Sequence, residues 1–419
     1  MRFEVLVALR YLGEARGQTA LILTGVGVGV GVIVFLSALI TGLQQSLIAQ
    51  TLGTQAHVVV RPREEMPRLL PAEAPGGLVR EAQLERPAQR VRSIVQWQQA
   101  RATIARLPGI VATAPVVSGP ALALRGGGAS SIVVRGIEPE NYLRIVPLDS
   151  FLVAGRLDLE GFEAVVGTEL ASDLGLSVGD RVRLRAGTDT PTDATGVEPS
   201  ASGGVYTVTG IFDLGNRDLN ERWVFVSLRS AQTMFGLPGG VSAIEVTGTE
   251  IYEAETLAVR IGERLDLAAD SWMASNAQLL AGLRSQSASS VMIQVFVVLA
   301  VALGIASVLA VSVVQKSREI GILRATGTSR QQVMRIFLLQ GAVLGLLGSA
   351  LGVALGVALG VFFSRLALNP DGTPRFPVSF DAVLYLRSAA IAVGVGVAAA
   401  LVPARRAARM RPADVIRAG

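Results

Sequence analysis

Few residues in this chain could break or make a covalent bond. One histidine, His57, and no cysteine exclude a His/Cys metal cluster and a cysteine nucleophile. A Ser-His-Asp triad would have to use His57, which opens the strand-like stretch HVVVR at 57–61 and reads as a strand-edge histidine. Aspartates and glutamates are scattered over loops, with no pair that a regular element would set face to face. A phosphate-binding loop needs G-x-x-x-x-G-K-[ST]. The sole lysine, Lys316, precedes Ser317, but Ala310 and Gln315 hold the two glycine positions inside an apolar stretch, so the backbone cradle cannot form. We therefore expect no catalytic residue, no metal site and no cofactor on this chain.

The spacing that does carry information is suited to docking. In QKSREIGILRATGTSRQQVMRIFLLQ (Gln315–Gln340), a basic-acidic helix end leads into an apolar turn of Ile320, Ile322 and Leu323. A break follows at Gly327, and Ser329 is placed as N-cap of the next helix. A short helix of this kind, lying at a membrane face, offers apolar side chains to a partner's groove or serves as an ordinary basic loop. Gly348, Gly352, Gly356 and Gly360 recur every four residues, the ladder that lets another helix pack closely, and Gly25 and Gly29 repeat it.

These features sit among four apolar stretches: Gln18 to about Ile40, about Ser289 to Val314, Ile336 to Ser364, and about Ala389 to Ala404. A spanning helix needs about 20 apolar residues, and mean hydropathy is +0.49 with 17% charged residues. The first stretch lacks a small-x-small cleavage site and reads as a retained helix. Basic residues mark the cytoplasmic side: Arg2, Arg10 and Arg16; Lys316, Arg318, Arg324 and Arg330; and Arg405, Arg406, Arg409, Arg411 and Arg417. The fold class expected is an α-helical membrane protein with four transmembrane helices, one plus three. A large two-lobed α+β extracytoplasmic domain lies between the first and second. The pI of about 10.1 reflects this topology, and no basic groove for nucleic acid is apparent. Without disulfides, the outer domain must be held by its own core.

The expected boundaries are an amphipathic cytoplasmic helix (1–18), the first span and stalk (19–45), the outer domain (46–274, with an inserted lobe at about 150–240), and a second stalk and span (275–314). A cytoplasmic coupling loop (315–333), the third span (334–364), a short outer loop (365–382), the fourth span (383–404) and a cytoplasmic tail (405–419) complete the chain. Within the outer domain, residues 62–92 read as an exposed, mixed-charge loop. Strands are expected at Val111–Val117 and Ala121–Leu124, and Thr168 as N-cap of a helix following EAVVG.

The coupling segment resembles the "REIGILRAIGAS" loop of the FtsX-like permease family of ABC transporters, which includes the macrolide-exporter (MacB) and lipoprotein-releasing (Lol) types. The tail PARRAARMRPADVIR is similar to the same family's ending, and AVVGTELASDLGLSVGDRVRLR with VYTVTGIFD looks closest to the lipoprotein-releasing permeases. The resemblance implies an FtsX-like permease domain at about 290–412 and a MacB-like periplasmic core in the bacterial inner membrane, with both termini cytoplasmic. It also implies a dimer with a second permease, homo- or heteromeric, and two copies of a cytoplasmic ATPase that carry the ATP and Mg. Glu319, Ile320, Gly321, Leu323 and Arg324 would then couple to the ATPase. The loop at Thr188–Gly204, with Thr190, Pro191 and Pro199, would meet a periplasmic lipoprotein carrier, although its other residues depart from the family. Acyl chains of cargo and membrane lipid would lie against Leu39, Ile40, Leu43, Val291, Val295 and Phe296. The function implied is mechanical extraction of lipoproteins. MacB-like export of a drug or peptide, and a non-transporting regulator of cell-wall hydrolases, stay open.

Overall fold

Long apolar stretches give, among the described residues, four helices long and apolar enough to cross a membrane, the last of them with Pro403 inside it. The computed structural model describes residues 2–14, 16–63, 91–186, 203–366 and 377–410. The chain opens with α1 (Arg2–Glu14) and α2 (Arg16–Gly53). A mixed block follows: β1 (Val58–Arg61), α3 (Trp97–Ala105), β2 (Ile110–Arg125), β3 (Gly128–Ile137), α4 (Pro139–Tyr142), β4 (Leu152–Gly155), β5 (Glu163–Gly167), α5 (Thr168–Asp173) and β6 (Arg181–Ala186). It continues with β7 (Gly203–Phe212), α6 (Arg217–Arg222), β8 (Trp223–Ser227), α7 (Leu228–Met234), β9 (Ala243–Gly248), α8 (Ala254–Arg264), β10 (Ala268–Ser271) and α9 (Trp272–Ser275). Last come α10 (Ala277–Gln315), α11 (Ser317–Ala325), α12 (Arg330–Leu366) and α13 (Ala382–Arg409). Two compact units result, Ala49–Gln278 and Met1–Ile48 with Leu279–Gly419. The 38 residues of α2 extend about 57 Å at 1.5 Å per residue, well beyond a hydrocarbon core of about 30 Å.

In the unit Ala49–Gln278, the strands form one ten-stranded sheet in the order β10-β1-β9-β2-β3-β8-β5-β7-β4, with β6 joining β2 to β7. The pairings β2-β3-β8-β5-β7-β6-β2 therefore close into a ring. Strand β2 makes this possible, pairing with β9 over Ile110–Val116 and with β6 over Ala121–Leu124. The change of partner falls at Ser118-Gly119-Pro120. There Pro120 has no N–H to offer a ladder, and the Ser118 N–H donates to the Ser242 hydroxyl at 2.7 Å. The sequence reading splits this strand in two; the structure runs it unbroken for 16 residues. Among the described residues, the strands within 150–240 form no separate sheet of their own. They join β2 and β3 through β6 and β8.

Helix α5 is capped by Gly167 and not by Thr168, which is its first residue. A side chain at 167 would meet the Asn220 carbonyl oxygen at 2.0 Å, so only glycine fits where α5 starts beneath α6. His57 places Nδ1 to accept the Gly248 N–H at 3.1 Å, and its partial burial lowers its pKa, so the ring is neutral. On the sheet face, the buried Arg135 pairs with Glu245 and lies over the Trp223 ring, 4.2 Å from its centroid.

In the other unit, α12 is the central helix. Cβ atoms built on Gly348, Gly352 and Gly356 would meet Val26, Val30 and Val34 of α2 at 2.4–2.6 Å. The reciprocal glycines of α2 are Gly27 and Gly31, which approach Leu351 and the Gly352 carbonyl. They are not Gly25, which faces open space, or Gly29, which faces Val301 of α10. Gly360 lies against Val378 and Phe380. On another side of α12, Gly341 and Gly396 of α13 touch, each Cβ position 2.4 Å from the other's carbonyl oxygen. Helix α1 packs Ala8 and Tyr11 on Ile336 and leaves Phe3, Leu6 and Leu9 exposed. Leu12 packs against the bundle.

Replacing Gly352 by Val must push α2 away from α12, because its Cβ would stand 2.5 Å from Val30 and 2.8 Å from the Gly27 carbonyl oxygen. The expected loss is about 1–3 kcal/mol, read as a lower melting temperature of the purified full-length protein in detergent. Gly394→Val, where nothing lies within 4 Å, should leave that temperature unchanged. Equal melting of both variants would refute the packing role.

Candidate functional site

Two features of the membrane unit combine exposed residues with defined shape. The first is α11, nine residues between α10 and α12. Its start is fixed by Lys316, whose Nζ donates to Glu14 of α1 at 2.5 Å and to Glu319 at 2.7 Å. The bond to Glu14 raises the lysine pKa, so the clamp stays charged. Its end is set by Gly327, at φ +103°, a left-handed conformation suited to glycine. Ser329 then caps α12 in a capping box: its hydroxyl accepts the Gln332 N–H at 3.3 Å, and its own N–H donates to Gln332 Oε1 at 2.8 Å.

The expected coupling residues divide between the two sides of α11. Ile320 is only 1% exposed, packed with Val313, Val333, Phe337, Ala404 and Ala407. Gly321 is buried beside it. Arg324 donates to the Ala408 carbonyl at 2.7 Å, tying α11 to the end of α13. These three hold α11 to its own chain, which corrects the reading of Ile320 and Gly321 as contact residues: their apolar surface is already used. Glu319 is exposed and Leu323 half-buried. Ile322, at 54% exposure, is the apolar residue that the site reading passed over. The sequence signal for it was the same apolar turn, but periodicity alone does not say which side faces inward.

The second feature is a cleft among α2, α10 and α13, built of two adjoining compartments. One, of about 240 Å³, carries most of the cleft's polar groups on a mixed wall: Ser37, Thr41 and Gln44 of α2 face Ser287, Ser290 and Gln294 of α10, with Arg387 of α13, among the apolar Ile33, Ile40, Val291, Leu384 and Ile391. The other, of about 320 Å³, is lined mainly by Val30, Val291, Val295, Val298, Leu299 and Val395. Ile33, Val291, Gln294, Ser388 and Ile391 line both. The amides hold α2 to α10: Gln44 donates to the Ser287 hydroxyl at 2.8 Å, and Gln294 donates to Ser37 at 3.0 Å. Of the expected substrate-contact residues, Ile40 and Val291 line the polar compartment, and Val291 and Val295 the apolar one. Leu39 and Leu43 are half-buried outside it, and Phe296 is 66% exposed and lines neither. Participation of α13 was missed, since nothing in one sequence pairs a helix with two distant ones. Thr190, Pro191 and Pro199 lie outside the described residues.

A family model for the MacB-like periplasmic core domain matches residues 19–269, and one for the FtsX-like permease C-terminal region matches 291–412. The lipoprotein-releasing system transmembrane protein LolC of Xylella fastidiosa is 26% identical, covering 99% of this chain and 98% of that protein. LolC of Neisseria meningitidis serogroup B is 24% identical, covering 99% of each. The macrolide export ATP-binding/permease protein MacB of Hyphomonas neptunium is 26% identical over 98% of this chain and 60% of its own length. A solved structure, the periplasmic region of MacB from Actinobacillus actinomycetemcomitans, aligns over 56% of this chain and 95% of its own, with 11% identity and a TM-score of 0.33. The chain thus belongs to the ABC-transporter permease family that joins a MacB-like periplasmic core domain to an FtsX-like permease C-terminal region.

Proposed function

We propose that this chain is the permease subunit of an ATP-driven mechanical transporter, which draws lipoproteins from the outer leaflet of the inner membrane and passes them to a periplasmic carrier. The observation that carries the reading is the two-part cleft, in a chain similar to LolC along its whole length. Each buried methylene is worth about 0.8 kcal/mol, so an acylated cargo needs an apolar slot joined to a polar mouth.

In this reading the arrangement is one span, a two-lobed outer domain, then three spans, with both termini in the cytoplasm. The chain pairs with a second permease, identical or related. Two copies of a separate ATPase, holding ATP and Mg, dock at the α11 surfaces. Closure of the ATPases shifts α11 and, through α10, changes the width of the cleft. Glu319, Ile322 and Leu323 form the docking face, while Ile320, Gly321 and Arg324 transmit the push into the bundle. The loop with Thr190, Pro191 and Pro199 is the proposed carrier contact.

Ile322→Asp places a charge on the docking face without disturbing the chain's own core. A buried unpaired charge at such a contact costs about 2–5 kcal/mol, so ATPase copurification should fall at least about 30-fold while the variant's melting temperature holds. Unchanged copurification would refute the docking face. Ile320→Asp should instead lower the melting temperature itself.

Photo-crosslinkers at Val291 and Val295 should capture a lipoprotein in a nucleotide-dependent way, whereas Phe296, outside the cleft, should capture bulk lipid. Capture of a soluble peptide or drug at Val291 and Val295 would favour the exporter. Phospholipid alone, unaffected by ATP, would contradict transport through the cleft.

A further inference from the structure

The polar compartment holds a cation that the helix packing does not use. Its lining includes Arg387 and contains no aspartate or glutamate. Amides and hydroxyls beside it are hydrogen-bonded to one another: Gln44 to Ser287 and Gln294 to Ser37 between helices, and Gln294 to Ser290 within α10. Ser388 donates its hydroxyl to the Leu384 carbonyl at 2.9 Å. Arg387 has no hydrogen bond or ion pair with any described residue. Directly adjoining is the 320 Å³ apolar compartment, with Ile33, Val291 and Ile391 on the shared wall.

A guanidinium without a partner among the described residues, next to an apolar slot and with no carboxylate in the compartment's described lining, is complementary to a phosphate joined to an acyl chain. Arginine presents several N–H donors in a fork that matches phosphate oxygens, and Arg387 is exposed, so a headgroup can reach it. A neutral acyl glyceride would fill the slot but leave the cation unmatched. A zwitterionic phospholipid would bring its own ammonium into a compartment without an anion to receive it.

We infer that the cleft binds one anionic phospholipid, its phosphate on Arg387 and one acyl chain in the apolar compartment. The lipid is a resident occupant that leaves when the cleft takes another amphiphile. The inference goes beyond the transport reading and does not require it: lipid selection by Arg387 stands even if the cargo is not a lipoprotein.

The test uses the full-length protein in nanodiscs made of equal phosphatidylglycerol and phosphatidylcholine, followed by detergent extraction and native mass spectrometry of retained lipid. The wild type should retain phosphatidylglycerol at least tenfold over phosphatidylcholine, about one molecule per chain. Arg387→Gln should abolish the preference, and Arg387→Lys should keep part of it. Arg365→Gln, an exposed arginine at the end of α12 that lines neither compartment, should leave it intact. Excess inorganic phosphate should not displace the lipid, because it has no chain for the apolar compartment. Equal retention of both lipids by the wild type would overturn the inference. So would a preference that survives Arg387→Gln, an equal loss in Arg365→Gln, or displacement by phosphate. Lipoprotein capture at Val291 and Val295 is a separate readout, so the two proposals fail independently.

Discussion

Backbone-close packing of α2 on α12 is the constraint on which the membrane unit depends. In hydrocarbon, helices gain little from hiding apolar surface from each other, so association relies on close contact and on polar bridges. Gly348, Gly352 and Gly356 admit the valines of α2, while Gly341 and Gly345 admit α13 on another side of the same helix. With two faces of α12 taken in this way, α10 leans on α2 through the fit of Val301 to Gly29 and the amide bridges of Gln44 and Gln294. The space left among α2, α10 and α13 is the cleft. A gap that could be read as poor packing is thus a consequence of good packing elsewhere.

The end of the bundle near α11 follows a different logic, built on charge and capping. Lys316 joins the last residue of α1 to the first turn of α11, and Arg324 joins the last turn of α11 to the end of α13. Between these ties, Ile320 and Gly321 are packed inward and Ile322 faces outward. Helix α11 is held at both ends and along its inner side, so a force applied to its outer side moves it as a body. A loosely tethered loop would absorb such a push; in the proposed mechanism this element passes it to α10, α12 and α13.

Much of this was legible in the sequence, for physical reasons that also mark the limits. The four long helices announce themselves because hydrocarbon forbids charges and unsatisfied backbone, so composition alone marks them. Ser329 as N-cap is readable because capping is local; the Gln332 half of the box came only with the structure. Ile320 was misread because helical periodicity distinguishes an apolar side but not whether that side belongs to its own chain or to a partner. Likewise Gly25 and Gly29 shared the four-residue spacing, yet Gly27 and Gly31 face α12, since rotation of a helix about its axis depends on all its neighbours together. Between the strands read at Val111–Val117 and Ala121–Leu124, pairing partners distant in sequence carry the chain through Ser118-Gly119-Pro120 without a break. At Gly167 the deciding contact, the Asn220 carbonyl, is likewise remote. Local chemistry was readable, and choices made by tertiary neighbours were not.

The central claim is that α10 moves against α2 to change the cleft. Gln44 and Ser287, hydrogen-bonded at 2.8 Å, offer the direct test in a chain without cysteine. Gln44→Cys with Ser287→Cys, joined by a short reducible thiol crosslinker, would fix the two helices where they now stand. In proteoliposomes with the partner ATPase, transport per ATP hydrolysed should fall to background when the crosslink is present and recover on reduction, with ATP hydrolysis at least partly retained. Full transport in the crosslinked protein would contradict the account.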